Sequence, residues 1–189
     1  MTKSISVFCG LRNGTHPTHL ENARILGETL AENNITLIYG GASVGTMGTL
    51  ADAALNKSGK VIGIMPTFLI DREIKHHNLT EFHAVDSMSQ RKDKLIELAD
   101  AFIILPGGCG TLEEFSDVFS RLHLGLHTKP IGILNTDNYY GYLLAQLSQM
   151  VQEGFLPEET YSKIIFKSEP QELVSAITSL NSLTGTPVD

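Results

Sequence analysis

The chain has 189 residues, 42% hydrophobic and 19% charged, which is the composition of one folded domain and excludes a disordered polymer. Fourteen Lys and Arg against twenty-one Asp and Glu leave a formal charge of −7, a global field that repels polyanions, so no nucleic acid polymer or anionic membrane is expected as a partner. No run approaches the ~20 apolar residues of a membrane span, the start lacks a leader pattern, and Cys9 and Cys109 match no disulfide framework or zinc spacing; the expectation is a single cytoplasmic domain, residues 1–189, with reduced thiols.

In chain order, Ile5 to Cys9 reads as a short strand ending at a glycine, and Thr18 to Asn33 carries helical periodicity through Ala23, Leu26 and Leu30. Thr36 to Tyr39 is the next strand, followed by a helix from about Thr46 to Lys57 and the apolar strand Val61 to Met65. After Pro66 an irregular, histidine-bearing stretch leads to a short strand, Glu81 to Val85, and a helix from Met88 to Asp100. Ala101 to Leu105 is short and apolar enough for a buried strand, and PGGCGT then opens a helix to about Leu124. Strand Ile131 to Leu134, helix Tyr139 to Glu153, strand Lys163 to Phe166 and helix Pro170 to Leu180 complete the order. Apolar strands bounded by helices imply an α/β, Rossmann-like doubly wound parallel sheet with helices on both faces. In such sheets ligands bind outside the carboxyl ends of the strands, where the glycine-rich segments CGLRNG, YGGASVGTMG and LPGGCGT all fall.

LPGGCGTLEE carries the strongest chemical signal, because a buried strand runs through glycines directly into a helix. The backbone N–H groups of Gly108 to Thr111 at that helix start are suited to a phosphate, assisted by the helix dipole. No GK[ST] follows, and neither this segment nor YGGASVGTMG has the dinucleotide spacing, so an ordinary tight turn stays open for both. Thr111 to Glu114 also reads as a capping box with Thr111 as N-cap. Helical spacing nevertheless aligns Glu114 with Val118, beside the stripe Phe115, Phe119 and Leu122, and turns it inward, while Glu113 aligns with polar Ser116, Asp117 and Ser120. On the preceding helix, Arg91 shares a face with Met88, Leu95 and Leu98, so it interrupts a buried stripe and calls for an anion; an arginine whose stem packs while its head reaches water is the alternative. His123 and His127 lack an HExxH pattern and His76 and His77 are adjacent, so hydrogen-bonded or surface roles are expected and no metal site.

PGGCGTLEE and SMSQRKDKL together resemble the PGGxGTxxE and arginine-lysine motifs of the Lonely Guy family, the cytokinin riboside 5′-monophosphate phosphoribohydrolases once labelled lysine decarboxylases. The resemblance runs from VFCG through YGGASVGTMG and REI to KPIGILNTDNYY and EGF. It implies a Rossmann-like homodimer that hydrolyses a nucleoside 5′-monophosphate to free base and ribose 5-phosphate without a metal or redox cofactor. By the same resemblance Arg91 and Glu114 are the catalytic pair, with Glu73, Lys92, Gly107, Gly108, Cys109, Gly110, Thr111 and Ser120 contacting substrate, and Glu113, beside Glu114, is a further candidate contact. Gly41 and Gly45 of the second glycine segment join them as candidate substrate contacts. Two departures stand out: Ser120 replaces a threonine, and CGLRNG replaces the commoner CGSS, placing Leu11 and Arg12 at that rim. A nucleotide or phosphorylated-cofactor carrier of the same fold is the alternative, and a dehydrogenase ranks below it for want of the fingerprint.

Overall fold

The computed structural model describes residues 2–70, 72 and 74–183. Seven strands, β1 (Ser4–Phe8), β2 (Thr36–Tyr39), β3 (Val61–Pro66), β4 (Glu81–Val85), β5 (Ala101–Ile104), β6 (Ile131–Leu134) and β7 (Ile164–Lys167), form one all-parallel sheet. The helices are α1 (Pro17–Glu32), α2 (Gly45–Asn56), α3 (Met88–Leu98), α4 (Cys109–His123), α5 (Gly141–Gln152), the short α6 (Glu158–Tyr161) and α7 (Pro170–Leu183). The doubly wound α/β architecture expected from the alternation is the one observed. Among the described residues no helix is long and apolar enough to cross a membrane.

Strand residues alternate between two cores, as the two-residue side-chain period requires. Ile5, Val7, Leu37, Tyr39, Ala101 and Ile103 face the layer of α1, α2 and α7, while Phe8, Ile38, Phe102, Ile104, Ile131 and Ile133 face α3, α4 and α5. Burial of the sheet on both sides explains why its strands read as continuous apolar runs.

The strand order is β4-β3-β2-β1-β5-β6-β7, so the winding reverses between β1 and β5. There the connections leaving the two strands turn to opposite faces and open a crevice at their carboxyl ends. The loop after β1 and the glycine-rich loop after β5 are its two walls.

Local capping sets the angles of the two helices that matter most. Ser87 caps α3 by accepting from the Gln90 N–H at 3.2 Å, and Gln90 reaches back to accept from the Asp86 N–H at 2.9 Å. That reciprocal pair fixes the start of α3 and therefore which way Arg91 points. In α4 the expected capping box is not formed: Gly108 is the N-cap, without a side-chain bond, and Thr111 is the third helical residue. Gly108 adopts the extended N-cap conformation readily and starts the helix earlier, leaving the Thr111 side chain to pack beneath Gly107.

Candidate active site

The chain leaves β5 through Leu105, Pro106 and Gly107 and enters α4 at Gly108. Two adjacent tyrosines hold this loop: the buried Tyr140 hydroxyl donates to the Leu105 carbonyl at 2.7 Å, and the Tyr139 hydroxyl donates to the Gly107 carbonyl at 2.5 Å. At Gly107 a Cβ would lie 2.2 Å from Thr111 Oγ1, so this position has no room for a side chain. Gly108 and Gly110 have nothing within 4 Å of a would-be Cβ. Their N–H groups, at the positive end of α4, border a cleft of about 770 Å³ that is also lined by Thr111, Arg91 and Glu114.

Arg91 and Glu114 are only 4% and 7% exposed, so both point inward, as their helical spacing predicts, and the solvent-reaching alternative for Arg91 is set aside. The Arg91 guanidinium donates from Nη2 to the Gly40 carbonyl at 3.3 Å, lies 3.9 Å from Met88 Sδ through Nη1, and keeps a buried Nε without a partner among the described residues. Its Nε–H lacks a partner among the described residues, so the group retains capacity for an anionic ligand. The thiol of Cys9, at the end of β1, is pushed far up by burial, then by the negative charge of Glu114, with Arg91 opposing. Both charged groups therefore act on one point at the reversal of the sheet.

The remaining candidates divide by position. Gly107, Gly108, Gly110, Thr111 and Glu113 line the cleft with the pair. Cys109 is exposed at the first turn of α4. Lys92 is held on the flank, where its ammonium bonds Glu113 at 2.5 Å and Asp117 at 3.2 Å; the bond from Glu113 outweighs desolvation and raises its pKa. Ser120 is exposed further along α4 and does not line the cleft. Glu73 lies outside the described residues.

Gly41 and Gly45 do not line the cleft either. Gly41, at φ +88°, packs against Phe82 and the β3 backbone, and Gly45, at φ +64°, lets the start of α2 approach the Leu11 carbonyl. Each serves a backbone approach that a Cβ would obstruct. From that segment Gly40 meets Arg91, where a Cβ would lie 2.1 Å from Nη2, and Thr46 and Met47 line the cleft.

His127 and His76 have the hydrogen-bonded roles expected, pairing with the Val118 carbonyl at 2.9 Å and with Asp52 at 3.0 Å. The opposite wall of the cleft is the loop from Leu11 to His16, where CGLRNG placed Leu11 and Arg12, together with His19 on the first turn of α1 and Tyr139, which the motifs did not reveal. For His16 and His19 the sequence signal is the turn chemistry of NGTHP between a strand and a helix, which marks a loop and says nothing of what faces it.

A doubly wound parallel sheet with a helix start lacking a side-chain cap at its reversal, flanked by a buried arginine and a buried glutamate, defines a Rossmann-like α/β protein with a candidate anion site. Residues 47–177 match the family described as "possible lysine decarboxylase". Over 178 residues the chain is 45% identical to a cytokinin riboside 5′-monophosphate phosphoribohydrolase of Rhodococcoides fascians, covering 94% of this chain and 90% of that protein. It is 44% identical over 172 residues to an Arabidopsis thaliana protein of the same name, covering 91% and 79%. The molybdenum cofactor binding protein of Rippkaea orientalis shares the fold at a TM-score of 0.72 and 23% identity, over 96% of this chain and 98% of that one. The chain belongs to the Lonely Guy family, that of the cytokinin riboside 5′-monophosphate phosphoribohydrolases.

Proposed function

We propose that this protein hydrolyses the N-glycosidic bond of a nucleoside 5′-monophosphate, adenosine or a cytokinin riboside, to free base and ribose 5-phosphate. The observation that carries the reading is the convergence of buried Arg91 and Glu114 on the cleft bordered by the start of α4. The phosphate binds the N–H groups of Gly108, Gly110 and Thr111, and this remote anchor positions the ribose. Glu114, one turn further along α4, then lies beside the anomeric carbon. As the C1′–N bond breaks its electron pair leaves with the base; the oxygen of water bonds C1′ and releases one of its protons, and the base takes one up, so no net proton is gained or lost. Glu114 stabilises the oxocarbenium-like charge that develops and orients the water. Arg91 supplies the fixed positive charge for the anionic parts of the reacting nucleotide.

Agreement with the named relatives over nearly the whole chain supports the same chemistry. We further read the protein as a cytoplasmic homodimer; large exposed apolar side chains, among them Leu124, Leu126 and Tyr142, support pairing, and sedimentation at micromolar concentration tests it.

The test of activity is incubation of purified protein with AMP and with isopentenyladenosine monophosphate, followed by chromatography for free base. Release from at least one is expected. No release from either at high enzyme, with binding intact by calorimetry, would replace this reading with that of a carrier.

A further inference from the structure

The wall opposite the glycine loop holds a histidine that the mechanism above does not use. His19 is 8% exposed, lines the cleft, and keeps Nδ1 buried without a hydrogen-bond partner among the described residues. Its ring meets Tyr139 edge-on, with centroids 5.8 Å apart, and His16 in the same manner at 5.9 Å. Tyr139 is the residue whose hydroxyl holds the Gly107 carbonyl, so His19 stands at the phosphate end of the cleft.

The local backbone fits an anion there. His19 lies in the first turn of α1, which has proline at its start, no acidic residue in that turn, and no side-chain bond from its N-cap, His16. The positive end of α1 is thus added to that of α4 on the same cleft. Gly14, at φ +75°, lets the loop backbone approach the Cδ2 side of the ring, where a Cβ would lie 2.8 Å from Cδ2. With Nδ1 sealed off, Nε2 is the ring nitrogen available to the cleft, and in the neutral ring one nitrogen carries a donor hydrogen.

We infer that His19 is a further substrate-binding residue, donating from Nε2 to the terminal phosphate of the ligand and completing from α1 the anion site that the start of α4 begins. The inference rests on the phosphate-site reading given above. It also accounts for a polar ring in a position that its apolar contacts alone would not require.

Calorimetry with ribose 5-phosphate, inorganic phosphate and adenine as separate probes tests it on the intact protein. His19→Ala should weaken ribose 5-phosphate and phosphate about tenfold, the scale of one hydrogen bond to a charged group, and leave adenine unchanged. His19→Gln, whose amide nitrogen reaches the Nε2 position, should stay within about threefold of wild type, whereas His19→Asn, which mimics Nδ1, should behave as alanine does. A folded His19→Ala protein with unaltered ribose 5-phosphate affinity overturns the inference, as does an equal loss for adenine or a glutamine variant as weak as alanine. Ribose 5-phosphate binding without AMP hydrolysis in wild type would sink the enzymatic reading alone; absence of binding by both phosphate probes would sink the anion site itself.

Discussion

Lys92 on α3 bonds Glu113 on α4 at 2.5 Å and, one turn on, Asp117 at 3.2 Å, so the helices bearing the two catalytic candidates are tied together next to those candidates. Arg91 precedes the lysine and Glu114 follows the glutamate. Arg121 extends the network to Asp93 at 2.7 Å and Asp117 at 2.8 Å. Lys92→Met should cost about 1 kcal/mol of stability, as partly exposed ion pairs do. If the pairing aligns the two helices, kcat falls severalfold while ribose 5-phosphate affinity holds. A loss confined to affinity would assign Lys92 to direct substrate contact instead.

Glu114→Gln keeps the shape of the side chain and removes its charge. Free-base release from AMP at saturating substrate should drop by about a thousandfold or more, with ribose 5-phosphate binding retained, because the lost interaction belongs to the transition state. A variant of near wild-type rate would dismiss the role given to this carboxylate.

Gly40→Ala provides a route to Arg91 that leaves the arginine itself unchanged. The new methyl would occupy the place of Nη2, 2.1 Å away, so the guanidinium must move and turnover should fall about a hundredfold, a scale reached by small misplacements. Arg91→Lys should fare no better, since a point charge does not replace a planar fork. Gly110→Ala, with open space around its Cβ, should leave the melting temperature unchanged, whereas Gly107→Ala should lower stability by roughly 1–3 kcal/mol through collision with Thr111.

Thiol labelling should be selective. Cys9 is fully buried and its thiol is held far above the usual range, chiefly by desolvation and then by Glu114, so it stays protonated and unreactive. Cys109 is exposed. Iodoacetamide at pH 8 should add a single group, on Cys109 by peptide mapping, and ribose 5-phosphate should slow the reaction if it covers the loop. Labelling of Cys9 in folded protein would contradict the burial.

Acid should loosen the α3–α4 network. Burial acts to raise the Asp117 carboxyl, but bonds from Arg121 and Lys92 outweigh it and hold the group below its ordinary value of 3.8. A depressed carboxylate contributes stability that is present above its unfolded pKa and lost as pH falls through the folded one. Denaturant midpoints should therefore decline below about pH 4, and Asp117→Asn should flatten that part of the profile. An unchanged slope in the variant would remove Asp117 from the account.

The elements and the inward turn of Arg91 and Glu114 were legible because both follow from period: 3.6 residues for the helices, and short apolar runs for strands buried on both faces. Thr111 misled as a cap, since the T-x-x-E pattern is local while the glycine before it offered an earlier helix start. Gly41 and Gly45 belong to the same glycine-rich turn as Gly40, yet of the three only Gly40 meets Arg91, a fact of the distance between the loop after β2 and α3 that no spacing encodes.

His19 shows the limit most clearly. In the chain it is a polar residue near a helix start; in the fold it faces the glycine loop, which begins nearly ninety positions later. The sequence by itself determined which segments become strands and helices, and which charged side chains would be buried, because those depend on neighbours one to four residues apart. Tertiary structure decided which helix starts share a cleft, because the strand order reverses between β1 and β5, and which glycine abuts the arginine, because α3 packs across β2; both bring together residues that covalent distance keeps apart.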